Sequence, residues 1–274
     1  MRRGIRSGGS FNPGPWVGAG VLGLAAALCA SPAVAYRPFD GTDAAVADVG
    51  ELEIELQPAG PLREASQNFL LAPVTVVNLG FVKDWELVLQ GQLTTPLSTF
   101  EPTSLTDAGV LLKHVVRRGV LQDQSGPSIA TEFGVLLPDS TGPSGVGASL
   151  DTIVSQRWDW GTVHFNVQAE LTRDHHADLF VSTIVEGPYS WKVRPVAEVF
   201  YENEFGQAQT ISGLVGLIWQ VNDKLSFDVA VRQASLNGHS VRELRAGLTF
   251  GVSLWTPDTG DHRAFVENQS KRFR

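Results

Sequence analysis

The sequence predicts an all-β protein, an antiparallel transmembrane β-barrel of about twelve strands with both termini on the periplasmic side. Three observations carry this. Apolar and polar residues alternate with period two along most of the chain beyond residue 50. Many alternating segments reach the roughly 9–11 residues that a tilted strand needs to cross a bilayer. Six tryptophans gather where these segments turn.

Taken in order, the chain opens with an export signal. Arg2, Arg3 and Arg6 form its charged region, residues 17–28 its apolar region, and Ala33-Val34-Ala35 a small-x-small cleavage site. Residues 1–35 are therefore expected to be removed, leaving Tyr36 first. Cys29 as a lipoprotein site is the weaker reading, because Leu28 stands where a small residue is needed. The Arg2-Arg3 pair lacks the residues that should follow it in a twin-arginine signal. Cys29 is the only cysteine and leaves with the signal, which excludes mature disulfides and thiolate metal sites. The glycine pattern of residues 18–23 matches a dinucleotide fingerprint but has no strand before it.

Composition narrows the class further. With 43% hydrophobic and 18% charged residues the chain can bury a core, so disorder is excluded. Only the N-terminal apolar stretch approaches the length of a membrane helix. Twenty-one basic residues against 29 acidic ones argue against nucleic acid as a partner. Residues 36–49 carry no periodicity. They form a periplasmic segment or fold back as a partial plug, and the sequence leaves both open.

Residues 50–255 are the expected barrel. Its first strand is Glu51–Gln57, where Leu52, Ile54 and Leu56 oppose Glu51, Glu53 and Glu55. Residues 70–81 follow, then 85–93, where Leu87 and Leu89 oppose Glu86, Gln90 and Gln92. Weaker alternation marks 105–117, 127–138 and 147–158. The clearest strand is 162–171: Val163, Phe165, Val167, Ala169 and Leu171 take one face, and Thr162, His164, Asn166, Gln168 and Glu170 the other. Residues 178–187, 192–202 and 210–221 precede 225–232, where Phe227, Val229 and Val231 oppose Ser226, Asp228 and Arg232. In the last strand Leu244, Ala246, Leu248, Phe250, Val252 and Leu254 oppose Glu243, Arg245, Thr249 and Ser253. Residues 256–274 form a polar tail.

Connections set the rims. Short turns fall at 82–84, 159–161, 187–190 and 222–224, and longer polar loops near 94–104, 138–147, 172–177, 203–209 and 235–240. Short turns on one rim and long loops on the other are the outer-membrane pattern. Residues 117–126 break it. Trp85, Trp158, Trp160, Trp191, Trp219 and Trp255 all fall on the short-turn rim, as an interfacial girdle would, since indole is apolar but its N–H needs a polar partner. The outward parity expected of a girdle residue fails at Trp255.

If the alternation holds, the lumen collects Glu86, Asp107, Lys113, Glu132, His164, Asn166, Glu170, Arg194, Glu198, Asp228, Arg232, Glu243 and Arg245. Closure sets Glu243 and Arg245 beside Glu51, Glu53 and Glu55. Such groups form a pairing network that fills the interior, or a polar path; water between them makes both true. Parity also predicts that Arg at Val167 or Leu248 impairs assembly while Arg at Asn166 or Thr249 is tolerated.

Arg37-Pro38-Phe39, then Thr42-Asp43-Ala44 and residues 51–56, resemble the mature start of the MetA-pathway of phenol degradation family, a group of bacterial outer-membrane barrels. Residues 106–113, Thr-Asp-Ala-Gly-Val-Leu-Leu-Lys, are similar to its "gDl-lglKy" strand, and Gly126-Pro127 through Gly134-Val135-Leu136-Leu137-Pro138 to its strand ending in "lPtG". The likeness runs from Arg37 to Trp255. It departs at Asp139-Ser140-Thr141-Gly142, which replaces a direct Thr-Gly, and in the tail. The resemblance implies an outer-membrane barrel with a transport role.

Sites for chemistry are few. There is no Gly-x-Ser-x-Gly elbow, metalloprotease helix or phosphate loop. A lipase built on the barrel wall needs a Ser-His pair at the outer rim facing lipid. His164 has inward parity, His175 and His176 lie in a loop, and His114 lies near the wrong end of its strand. Residues 174–178 offer imidazole and carboxylate for a metal, but such a run is more often a solvated loop. No catalytic residue, metal or cofactor is expected. The expected function is passive passage of small solutes, apolar or aromatic ones included, through a narrow or plugged barrel. Its partners would be outer-membrane lipids and the barrel-assembly machinery. The rivals are a barrel enzyme acting on lipid acyl chains, a non-conducting structural barrel, and a soluble periplasmic β protein.

Overall fold

The computed structural model describes residues 37–256. The expectations for residues 1–35 and for the tail beyond Thr256 lie outside the described residues. The rest is one closed antiparallel sheet. Its strands are β1 (Glu51–Gln57), β2 (Gly60–Glu64), β3 (Gln67–Val82), β4 (Trp85–Pro96), β5 (Ser104–Arg117), β6 (Ser128–Leu136) and β7 (Gly147–Trp158). They continue as β8 (Gly161–Leu171), β9 (Ala177–Glu186), β10 (Val193–Glu204), β11 (Ala208–Asn222), β12 (Leu225–Leu236) and β13 (His239–Ser253).

From β2 onward each strand pairs with the next, and β1 closes the ring between β13 and β3. Leu52 lies opposite Val252, and Leu56 opposite Leu248. The alternation of the first strand stops at Gln57, but its stave does not. Pro58 cannot donate to the ladder, and β2 resumes after it, paired with the same neighbours β3 and β13. Thirteen strands therefore make twelve staves.

The usual burial rule is inverted. Leu150, Phe165, Val199, Ile211, Val215 and Val231 are exposed on the outside, while Glu53, Asn166, Glu198 and Thr249 are buried within. An apolar belt around a polar interior suits hydrocarbon outside and water inside. Val167 lies mid-strand on this belt, so Val167→Arg should cost about 2–4 kcal/mol. Loss of the folded band on unboiled gels would report it.

The rims differ less than the polar stretches suggest. The loops expected at 203–209 and 235–240 shrink to turns of three and two residues, between Glu204 and Ala208 and between Leu236 and His239. Asn237 and Gly238 both have positive φ, 48° and 83°, as a two-residue hairpin turn requires. Polar residues at a mouth look like loop in sequence, yet they continue the ladder. The long connections are 97–103 and 137–146 on that rim, and 118–127 and 187–192 on the rim where β1 starts and β13 ends. All six barrel tryptophans belong to this terminal rim. Trp85 stacks on His114 with centroids 4.1 Å apart, Trp158 on Trp160 at 5.4 Å, and Trp219 tilts against Phe227. Trp191 and Trp255 are exposed.

Candidate functional site: the barrel lumen

The N-terminal stretch 37–49 lies inside the barrel. An extended segment without a strand partner still has backbone groups to satisfy, and here the inner wall satisfies them. Starting from β1, the amide of Ala47 donates to Glu86 on β4, and that of Ala44 to Ser155 on β7 at 2.9 Å. Thr42 N donates to Asn166 on β8, and Asp40 N and Gly41 N to the two oxygens of Glu198 on β10, each at 2.8 Å. Arg245 on β13 donates to Pro38 O at 2.7 Å, and Arg37 reaches Gln57 on β1 at 2.6 Å. The partners come in the order of the staves, so the segment circles the wall as an inner collar. Small residues make the fit possible. A Cβ on Gly80 would collide with the carbonyl oxygens of Ala47 and Asp48. Gly80→Val is expected to push the collar off β3 without disturbing the outer belt, and faster protease cleavage within 37–49 would show it.

Charge fixes the first half of the collar. Asp40 takes Arg245 at 2.8 Å and Arg232 at 3.4 Å, and both arginines also hold Glu243. Burial pushes the Asp40 carboxyl up, but Arg245, Arg232 and Arg37 outweigh it and hold the carboxyl below its ordinary value of 3.8. Arg37 pairs with Asp228 at 3.5 Å. Lys113 reaches Asp43 at 3.5 Å and the Thr42 hydroxyl at 2.8 Å.

The connection 118–127, too long for a short-turn position, folds against the collar. Its single 3-10 turn, Val120–Gln122, sets Leu121 against Ala44, Ala130 and Ile153, a small apolar core. Gln122 donates to Ala44 O at 2.8 Å, and Arg118 ties the connection to Asp84.

One hydrogen-bonded chain resembles catalytic machinery in its connectivity. Ser155 Oγ lies 2.8 Å from His164 Nδ1, and His164 Nε2 3.1 Å from Glu186. Ser155 is fully buried, however, and its oxygen accepts the Ala44 amide. A hydroxyl holding the collar in this way is a clamp, and no substrate carbonyl can approach it.

The thirteen residues that alternation placed inward keep different company. Glu86, Asn166 and Glu198 hold the collar's backbone; Asp228, Arg232, Glu243 and Arg245 form its ion-pair cluster. Glu86, Lys113 and Glu132 stand in register on β4, β5 and β6. His164 joins Ser155 to Glu186, which also takes Arg194 at 3.2 Å. Glu170 and Asp107 lie near the opposite mouth, where Gln92 donates to Asp107 at 2.6 Å. Alternation missed Gln57, Asn78, Asp151, Glu186 and Glu202. Asn166 and Thr249 are 0% and 1% exposed, and Asn166 touches the collar. Arginine at these positions must therefore displace the filling, and the tolerance expected from parity does not follow. In the 174–178 run, His176 Nδ1 lies 3.1 Å from Glu204, and no cluster of three or more metal-ligating side chains occurs among the described residues.

A cavity of about 1530 Å³ remains beside the collar. Its lining includes Lys83 and Asp223 at the terminal rim, Glu53 and Asp151 between, and Glu170, Arg173 and Glu202 toward the other mouth. Phe180 and Phe200, 5.0 Å apart, add an apolar patch.

No protein-family model and no curated protein matches this sequence. Solved structures do match its shape. The outer membrane channel from Pseudomonas putida F1 is similar with a TM-score of 0.59 at 8% identity, over 78% of this chain and all of that one. The KdgM porin gives 0.49 at 9% identity, over 73% and 98% of the two chains. The CymD monoaromatic hydrocarbon channel gives 0.47 at 9%, over 77% and 90%. Identities this low speak for the fold alone, and the first likeness carries it: this chain has the fold of an outer-membrane β-barrel.

Proposed function

We propose that the protein is a non-enzymatic channel of a Gram-negative outer membrane, passing small solutes passively around its inner collar. The observation that carries this is the polar cavity of about 1530 Å³, lined from both rims inside an apolar belt. The Pseudomonas putida neighbour, an outer membrane channel, points the same way, as does the resemblance to the MetA-pathway of phenol degradation family. In this reading residues 1–35 direct export, the assembly machinery inserts the barrel, and the tryptophan rim faces the periplasm as a girdle.

The ion-paired collar favours a second reading, a plugged barrel without conductance. Purified protein in planar bilayers separates the two. Discrete conductance steps support the channel. A protein that shows the heat-dependent gel shift of a folded barrel but passes no current supports the plug.

A further inference from the structure

The seam that closes the barrel carries an unmatched pair of charges on its outer face. Pairing of β2 with β13 sets Arg63 directly opposite Arg242. Both are exposed and point away from the lumen, since Val241 and Glu243 on either side of Arg242 are buried within. Like charges at facing positions of a sheet are destabilising, and nothing in the wall offsets these two. No outward position of β11, β12 or β13 holds an acidic residue. Among the described residues neither guanidinium has an ion-pair partner. Arg242 donates to Gln233 Oε1 at 3.1 Å and Arg63 to Ala65 O at 3.4 Å, both uncharged oxygens. Most donors of each planar fork are left for something outside the protein.

The height of the pair is a second observation, independent of its charge. The outward residues of β13 from Leu244 to Val252 are all apolar. Their eight steps of about 3.3 Å, tilted by about 40°, raise the strand by about 20 Å, most of an apolar band about 25 Å tall. Trp255 stands past one end of this run, and Arg242 is the next outward residue past the other. On β12 the belt ends at Val231, opposite Leu244, and Gln233 follows it, opposite Arg242. The arginines therefore stand just above the hydrocarbon, at headgroup level, on the rim away from the tryptophans.

We infer that Arg63 and Arg242 bind the phosphate of an outer-leaflet glycolipid of the lipid A type. A phosphate accepts from both forks at once and relieves their repulsion. Gln233 positions the site: its Oε1 holds Arg242 while its Nε2 donates to Ser240 Oγ at 3.0 Å. Asn68, exposed and opposite Arg63, adds an amide. Leu244 and Val231, both exposed, lie beneath as a floor for acyl chains. Free phosphate would meet the same donors but leave that floor bare, so the occupant is the lipid. Because the arginines come from two strands, the bound phosphate also staples β2 to β13. The choice of leaflet rests on the orientation proposed above, with the tryptophan rim periplasmic.

The full mature chain in detergent is titrated with bis-phosphorylated lipid A and with the same lipid stripped of phosphate, and native mass spectrometry counts the bound lipid. The native chain should bind the phosphorylated lipid about tenfold more tightly, and millimolar inorganic phosphate should not displace it. Arg63→Gln/Arg242→Gln should bind both lipids alike. The heat-dependent gel shift adds a test of sign. Without lipid the variant should keep its folded band to at least the native temperature, since it loses only repulsion. Lipid A should raise that temperature for the native chain alone. Equal binding of the two lipids by the native chain, or of lipid A by native chain and variant, overturns the site. Displacement by inorganic phosphate overturns the lipid as its occupant. If the variant does not fold, the two lipids on the native chain decide. Orientation is read separately from Phe100→Cys, a thiol on the same rim in a chain whose only cysteine, Cys29, lies in the export signal. A membrane-impermeant maleimide should label it on intact cells. Labelling only after permeabilisation overturns the orientation, and lipid A as the occupant with it. A chain labelled from outside that fails to bind lipid A loses the site and keeps the orientation.

Discussion

Deleting residues 37–49 while keeping the export signal is expected to raise single-channel conductance several-fold and to leave the barrel folded. The ladder from β1 around to β13 closes without the collar, so removing it breaks no interstrand bond. What the wall loses is a set of partners. Glu198, Asn166, Ser155 and Arg245 each give up bonds to the collar. In a dry core each orphaned group would cost about 1–3 kcal/mol. Here water fills the vacated lumen and takes over most of those bonds, so the loss is well below the sum. The freed arginines also lose Asp40, and selectivity should move toward anions. Unchanged conductance would show that the constriction lies elsewhere. Loss of the gel shift would show that the collar belongs to the folding core.

How much of this was legible in the sequence follows from what each face meets. Strands β8 and β13 meet lipid outside and polar groups inside, and their alternation is clean. The inner face of β7 is not uniformly polar: Ile153 turns inward to pack with Ala44 and Leu121, and Thr152 turns outward. That inversion hid Asp151, two residues away on the same face. Leu214 and Ile218 blur β11 in the same way, being buried inside. The break at Pro58 concealed that β1 and β2 share one stave. The collar itself has no period, because its partners alternate along other strands. Its trace in sequence is a run of small residues, Gly41, Ala44, Ala45 and Ala47, beside Asp40 and Asp43. The same holds for 118–127, where the odd length of a short-turn position was the one visible sign of a connection that folds inward.

Arg245→Met is expected to be the most damaging single change in the lumen, costing about 3–5 kcal/mol. Arg245 is 8% exposed and donates to Pro38 O, Asp40 and Glu243, all within 2.9 Å. Methionine keeps much of the volume and removes every donor of Arg245, leaving Arg232 as the one cation between two carboxylates. Acid sensitivity gives a second readout. The Asp40 carboxyl is held below 3.8 in the fold, with Arg245 the first of the cations that do so. A depressed carboxyl contributes stability that is fully present above its unfolded value and is lost as pH falls through its folded one. The hold of Asp40 on the native collar should therefore be lost only below about pH 4. Without Arg245 the Asp40 carboxyl rises, and release should begin at higher pH, read as protease access to residues 37–49. Adding Asp40→Asn to Arg245→Met should recover part of the loss, because the uncompensated charge goes with it; coupling of about 0.5–3 kcal/mol is the range for groups in contact. Strict additivity in urea unfolding from lipid vesicles would argue against the pairing. Arg245→Lys separates charge from shape. A lysine retains the charge but lacks the planar fork that reaches a carbonyl and two carboxylates together, so it should restore the acid profile more fully than the stability.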